Sequence, residues 1–322
     1  MRKISSLLLL ATALLYSFSA CAEPFKAGLA RIRVADQTPF DVLVAYPTDM
    51  AEAEIDESSY RVRASENAPV ISGTRFPIVL FAKGNGRDAG SPFVHHDMIL
   101  RLAREGFVVV APFFPASARP FVNRPRQMRE AFDAAISDER FSIHIDPSRA
   151  GMIGYSFGGA VALMMAGAKL NLAHLSDYCR EHRDDPRACD GIPIDGSLSN
   201  ILSRKSDDAI HLKALVLLEP YGAPFAKDDL LGVDMPVLIY RALQSDLKAD
   251  GNILSLAQNL PKAPRQIAVP GGHGIFLAPC PPALAAISAE MVTLCKDAPG
   301  VDRVVIHERA GDEIVKFFRD AL

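Results

Sequence analysis

The sequence predicts an α/β protein with a mostly parallel central sheet flanked by helices, and three observations carry that expectation. Several short runs are almost wholly apolar, among them residues 76–82, 107–111 and 214–218. Strands read this way when both faces of their sheet are covered and neither meets water. Helical or polar stretches separate these runs, the alternation from which parallel sheets with crossover connections are built. Finally, Gly154-Tyr155-Ser156-Phe157-Gly158-Gly159 stands between an apolar strand end and an Ala-rich helical run.

Each element follows in order. Arg2 and Lys3 precede an apolar run over 7–15, and Ala20-Cys21-Ala22 fits a small-x-small cleavage site. Residues 1–22 therefore read as a signal peptide and 23–322 as a single domain, in a periplasmic or secreted protein. The alternative is a lipoprotein acylated at Cys21. The apolar run is too short to span a bilayer, and no later stretch is long enough, so no integral membrane segment is expected in the mature chain. Antiparallel strands open the domain, with one over 41–46. Residues 48–74 lack periodicity and read as a loop or short hairpin. The strand at 76–82 runs into Lys83-Gly84-Asn85-Gly86. A helix over 97–104 leads to the apolar strand at 107–111. A strand ending at Ile153 meets Ser156, and a buried helix continues over 160–166. Residues 170–211 are polar and break the rhythm, which suits a small cap-like insertion over a site. Strands at 214–218, 236–240 and 266–269 follow, and an amphipathic helix over 312–318 closes the chain.

A strand that turns sharply into a helix lifts one side chain above the sheet. Gly154 and Gly158 let the backbone make that turn, which exposes the oxygen of Ser156 as a nucleophile. The backbone N–H of Phe157 at the helix start can hold an oxyanion. A second such donor is expected on the Gly-rich loop after residues 76–82, at Asn85. The base is His273, in Pro270-Gly271-Gly272-His273-Gly274, on a loop after the last strand. Of the other seven histidines, His95 and His96 could cap a helix or wall the site. His144 reads as structural, and His174, His182, His211 and His307 as solvated. No partner set with metal-ligand spacing is visible, and no cofactor is called for. The acid that orients His273 has two candidates. Asp246 follows the strand at 236–240 in the usual chain order, nucleophile then acid then His. Glu219 ends the preceding apolar strand, where a carboxylate is costly to bury unless paired.

With these residues placed, the chain resembles the bacterial dienelactone-hydrolase-like α/β-hydrolases, which are similar to platelet-activating-factor acetylhydrolases and cutinase-type polyester hydrolases. The resemblance runs over most of the mature chain. Its carriers are Phe81-Ala82-Lys83-Gly84-Asn85-Gly86, the segment around Ser156, and the segment from Pro270 to Cys280. It implies the α/β-hydrolase fold, nucleophile Ser156, base His273, and oxyanion donors Asn85 and Phe157. It implies a small-molecule or lipid-like ester as substrate, cleaved as a carboxylic ester or lactone. Phospholipid or polyester deacylation and a catalytically silent binding protein are the alternatives. Relatives carry His-Gly where this chain has Lys83-Gly84. Their common acid position corresponds to Ser245, and the acetylhydrolases place the acid at the position of Glu219.

Composition agrees. The chain has 322 residues, 49 % of them hydrophobic, with a formal net charge of −3 and no long basic block, so nothing favours nucleic acid as a partner. Of five cysteines, Cys21 belongs to the leader, which leaves an even set in an exported chain. The local pairing, Cys179 with Cys189 and Cys280 with Cys295, costs least geometrically. The first bridge would pin the cap. A bridge closing roughly 15 residues is worth about 3 kcal/mol in the loop-entropy picture.

Overall fold

A computed structural model of the chain describes residues 25–57, 59–84, 91–117, 119–198, 204–285 and 288–322. The leader, Cys21 and Asn85 lie outside the described residues.

The N-terminal strands β1 (Lys26–Val34) and β2 (Phe40–Thr48) pair antiparallel, and β3 (Ala53–Glu57) and β4 (Tyr60–Glu66) form a hairpin beside them. The stretch expected as a loop or short hairpin is thus the hairpin. Next come β5 (Phe76–Ala82), α1 (His96–Arg104), β6 (Val108–Pro112), α2 (Pro120–Ser137), β7 (Ile145–Tyr155) and α3 (Phe157–Met165). The polar stretch contributes β8 (Lys169–Leu170), α4 (Leu172–Glu181), α5 (Pro186–Cys189) and β9 (Arg204–Lys205). Then follow β10 (Ala214–Leu218), β11 (Val237–Ala242), α6 (Ser255–Asn259), β12 (Arg265–Val269), α7 (Pro282–Ala285), α8 (Ala289–Cys295) and α9 (Arg303–Ala321).

The main sheet runs β12-β11-β10-β7-β5-β6-β2-β1-β4-β3. From β12 to β6 every neighbouring pair is parallel, and β2 turns the sheet antiparallel. Alternation along the strands divides the core into two layers. Ile78 and Leu80 pack on one face with Met128 and Ala131 of α2 and Val161 of α3. Val79 and Phe81 pack on the other with Ile99 and Leu102 of α1 and Ile314 and Phe318 of α9. Covering both faces is what makes these strands read as unbroken apolar runs. The chain has the α/β-hydrolase fold.

Two elements depart from the expectations. α9 spans 19 residues, far more than the amphipathic 312–318. α2 has no counterpart among them. Pro125 sits inside it, and its core face is built partly from Ala131 and Ala135, which give a weak periodic signal.

Leu175, Tyr178 and Ala188, in the stretch expected as a cap, pack onto the α2–α3 layer. Cys179 and Cys189 are bridged with Cα atoms 5.3 Å apart, and Cys280 and Cys295 with Cα atoms 5.6 Å apart. The two local disulfides therefore pair as anticipated. No helix among the described residues is long and apolar enough to cross a membrane.

Candidate active site

Parallel strands in register bring the site together at their C-terminal ends. Leu218 of β10 is the partner of Tyr155 of β7, so the residues that follow, Glu219 and Ser156, emerge side by side. The Ser156 N–H donates to Leu218 O at 3.0 Å, and the Glu219 N–H donates to Tyr240 O at 2.9 Å. Ser156 and Glu219 both hold positive φ, 54° and 47°. Non-glycine residues adopt that region at a cost, and such strain collects at functional sites. At Ser156 it aims the side chain off the sheet edge. The turn also demands absent side chains around it: a Cβ on Gly158 would stand 2.0 Å from Ala82 O.

The Ser156 hydroxyl Oγ lies 2.9 Å from His273 Nε2. That is within reach of proton transfer from the hydroxyl to the imidazole. The other ring nitrogen, Nδ1, faces two oxygens: Glu219 Oε2 at 3.4 Å and Ser245 Oγ at 3.5 Å. Catalytic hydrogen bonds are often this long before substrate binds. Glu219 is fully buried, and its second oxygen, Oε1, accepts the Ala242 N–H at 2.5 Å. That contact fixes the carboxylate, since a buried charge needs such partners to be tolerated.

Asp246 does not face the ring. Its carboxylate takes two hydrogen bonds from Arg187, at 2.5 and 2.6 Å. Partial burial pushes the Asp246 carboxyl up, but the Arg187 guanidinium outweighs it and holds the group below its usual range. The expectation that Asp246 reaches His273 is therefore not met by the geometry: it lies one residue past Ser245, which takes the ring-facing place, and its carboxylate hydrogen bonds with Arg187 instead.

His273 sits on a loop held from three sides. The Tyr155 hydroxyl donates to His273 O at 3.0 Å. Arg303, on α9, is buried and donates to Gly274 O at 2.8 Å, Leu277 O at 3.1 Å and Leu294 O at 2.9 Å. His307 Nε2 lies 2.7 Å from Ile275 O, while its Nδ1 pairs with Asp97. His307 is thus a partly buried anchor, not a solvated side chain. The periodicity of α9 signals a buried face but not that its polar members would grip this loop. His95 is almost fully buried, with Nδ1 2.9 Å from Phe276 O. Burial pushes its imidazole down to about 3, so it is a neutral wall of the site.

The end of β5 and Gly84 come close to Ser156. A Cβ on Gly84 would come within 3.4 Å of Ser156 Cβ. Lys83 is buried, and its ammonium reaches Gly84 O at 3.4 Å. Arg124 of α2 donates to the same oxygen at 3.1 Å. Burial, with the Arg124 charge adding to it, pushes the Lys83 amine down to about 7. Phe157 begins α3, so its N–H is among the first-turn donors that have no partner inside the helix.

A cleft of about 630 Å³ opens on Ser156. Phe121, Phe157 and Tyr221 form an aromatic wall, with Phe121 4.7 Å from Phe157 and 6.2 Å from Tyr221 between ring centroids. Arg187, Asp190 and Ile192 also line the cleft. No group of three or more potential metal ligands occurs among the described residues.

No protein-family model matches the chain, and no curated protein matches it in sequence. Solved structures do. A ferulic acid esterase from Streptomyces cinnamoneus superposes with a TM-score of 0.61 at 17 % identity, covering 94 % of this chain and 92 % of that one. A structure titled as an analysis of two fungal esterases from Rhizomucor miehei has a TM-score of 0.49 at 16 % identity, covering 92 % and 85 %. The Streptomyces likeness, over nearly the full length of both chains, is a likeness of fold, and it agrees with the α/β-hydrolase architecture read from the strands.

Proposed function

We propose that this chain is an exported serine hydrolase of carboxylic esters, with Ser156, His273 and Glu219 as its triad. The 2.9 Å approach of Ser156 Oγ to His273 Nε2, on a nucleophile held at positive φ, is the observation that carries this reading. His273 takes the hydroxyl proton as Ser156 attacks the ester carbonyl, and the tetrahedral oxyanion is held by the backbone N–H of Phe157 and, on the loop after Gly84, of Asn85. His273 then gives the proton to the leaving alcohol. Water, activated by the same imidazole, releases the acid from the acyl-enzyme. Glu219 holds the proton on Nδ1 and stabilises the imidazolium. No metal or cofactor takes part in these steps. The dienelactone-hydrolase-like grouping, the periplasmic or secreted location and a single domain with a cap belong to the same proposal.

The aromatic wall at the cleft supports a finer reading, in which the cleft accepts a planar aryl group on the acyl side. The structural neighbour named as a ferulic acid esterase points the same way. Labelling with a fluorophosphonate tests the core of the proposal: Ser156 should be the modified residue. A panel of p-nitrophenyl esters with aryl and alkyl acyl groups should then show turnover. A folded protein that neither labels nor turns over any ester would favour a silent binding protein of this fold.

A further inference from the structure

The space around Ser156 is divided in two. One cleft, of about 630 Å³, opens on Ser156, and a second, of about 510 Å³, opens on His273. Among the described residues, the two linings have only Arg187 and Asp246 in common. These two side chains are joined by paired hydrogen bonds of 2.5 and 2.6 Å. Arg187 also borders the small pit that holds Ser156 and His273 together. Among the described residues, the pair therefore forms the shared wall between the two clefts.

Its base is rigid while its contact is soft. Arg187 lies on α5, which is pinned two residues later by the Cys179–Cys189 bridge. Asp185, fully buried at the start of α5, accepts from the Tyr178 hydroxyl at 2.7 Å and from Asn252 Nδ2 at 3.0 Å. The backbone beneath Arg187 is thus tied to the body of the fold. The ion pair itself is partly in water, with side-chain exposures of 23 % for Arg187 and 55 % for Asp246. Pairs of that kind are weak and screened by salt.

We propose that the Arg187–Asp246 pair is a specificity-determining partition. It confines the group beside Ser156 to the first cleft, and it disfavours esters whose chain must continue past the pair into the second. The substrates it selects are compact esters. This inference rests on the ester-hydrolase reading, so its test also includes a readout that does not need turnover.

Specificity constants for p-nitrophenyl butyrate and decanoate are compared in the wild-type protein, Arg187→Ala, Asp246→Ala and the charge-reversed double variant R187D/D246R. Each methylene newly buried is worth roughly fourfold in binding. The decanoate-to-butyrate ratio should therefore rise at least about tenfold in each single variant, and it should fall back towards the wild-type value in the double variant, where the pair is restored. In the wild type the ratio should also climb between about 0.05 M and about 1 M salt, and Arg187→Ala should lose that dependence. A residue with a purely structural role would not make substrate preference salt-dependent. If Arg187→Ala fails to fold, Asp246→Ala decides, because its side chain is half in solvent. Rates of Ser156 labelling by short- and long-chain alkyl fluorophosphonates give the same ratio without ester turnover. If no ester is cleaved but the labelling ratio shifts, the ester reading falls and the partition stands. An unchanged ratio in folded single variants overturns the partition, as does a serine that labels with neither probe.

Discussion

Replacing Glu219 by Gln should nearly silence the protein while leaving it folded. The substitution keeps shape and removes charge. The Ala242 N–H, 2.5 Å from Oε1, requires an acceptor, so the amide oxygen of the new side chain must stay there. The amide nitrogen is then left facing His273 Nδ1, where Oε2 now lies at 3.4 Å. An amide N–H donates, so Nδ1 must accept, and the ring proton moves to Nε2. That nitrogen, 2.9 Å from Ser156 Oγ, would no longer have a lone pair for the hydroxyl proton. Loss of the productive tautomer in a triad costs on the order of 10⁴ in turnover, or about 5.5 kcal/mol in the barrier. The assay is kcat for a soluble ester, alongside circular dichroism and thermal unfolding. Asp246→Asn is the companion variant. It disturbs a half-exposed pair with Arg187, typically worth about 1 kcal/mol or less, so its turnover should stay within about tenfold of wild type. Should Glu219→Gln retain a tenth of wild-type turnover while Asp246→Asn falls by a thousandfold, the assignment of the acid is wrong.

Ser156→Ala should abolish turnover by several orders of magnitude with little change in melting temperature, because only a hydroxyl is removed at the turn; a tenth of the activity surviving in clean protein refutes the nucleophile. Lys83 carries a pH signature. Its folded value of about 7 lies below the 10.5 of the free amine, so the unfolded chain binds the extra proton between those values. Wild-type stability should therefore rise with pH across that window, and below about pH 7 the full penalty, on the order of 5 kcal/mol, should be present. Lys83→Met should be more stable than wild type near neutrality by up to that amount, with the difference vanishing above pH 10.5. Urea midpoints measured across pH check this, and a pH-independent difference contradicts it. The bridge Cys280–Cys295 closes the chain just beyond the base loop, since Cys280 follows His273 and Cys295 ends α8. Mild reduction should lower turnover before the far-ultraviolet signal changes, as local opening precedes global unfolding; simultaneous loss of both would show that the loop and the sheet fail together.

Sequence alone determined the parts of this protein that are encoded locally. The glycines around Ser156 are needed by one turn, and the apolar runs follow from strands covered on both faces, so the strand-to-helix turn and the sheet could be read directly. Cys179 with Cys189 and Cys280 with Cys295 lie ten and fifteen residues apart, close enough that short loops favour their pairing. The acid was different. Asp246 and Glu219 both satisfy the chain order, and nothing local separates them. Tertiary structure separates their positions through strand register. The match of Leu218 to Tyr155 sets Glu219 beside Ser156, and the Ala242 N–H from the neighbouring strand fixes its carboxylate. Asp246 is drawn away by Arg187, a partner 59 residues distant in the chain. The anchors of the base loop, Arg303 and His307, were hidden for the same reason. A helix shows its buried face through periodicity, but which carbonyl a polar side chain on that face will meet depends on how the helix docks against the sheet.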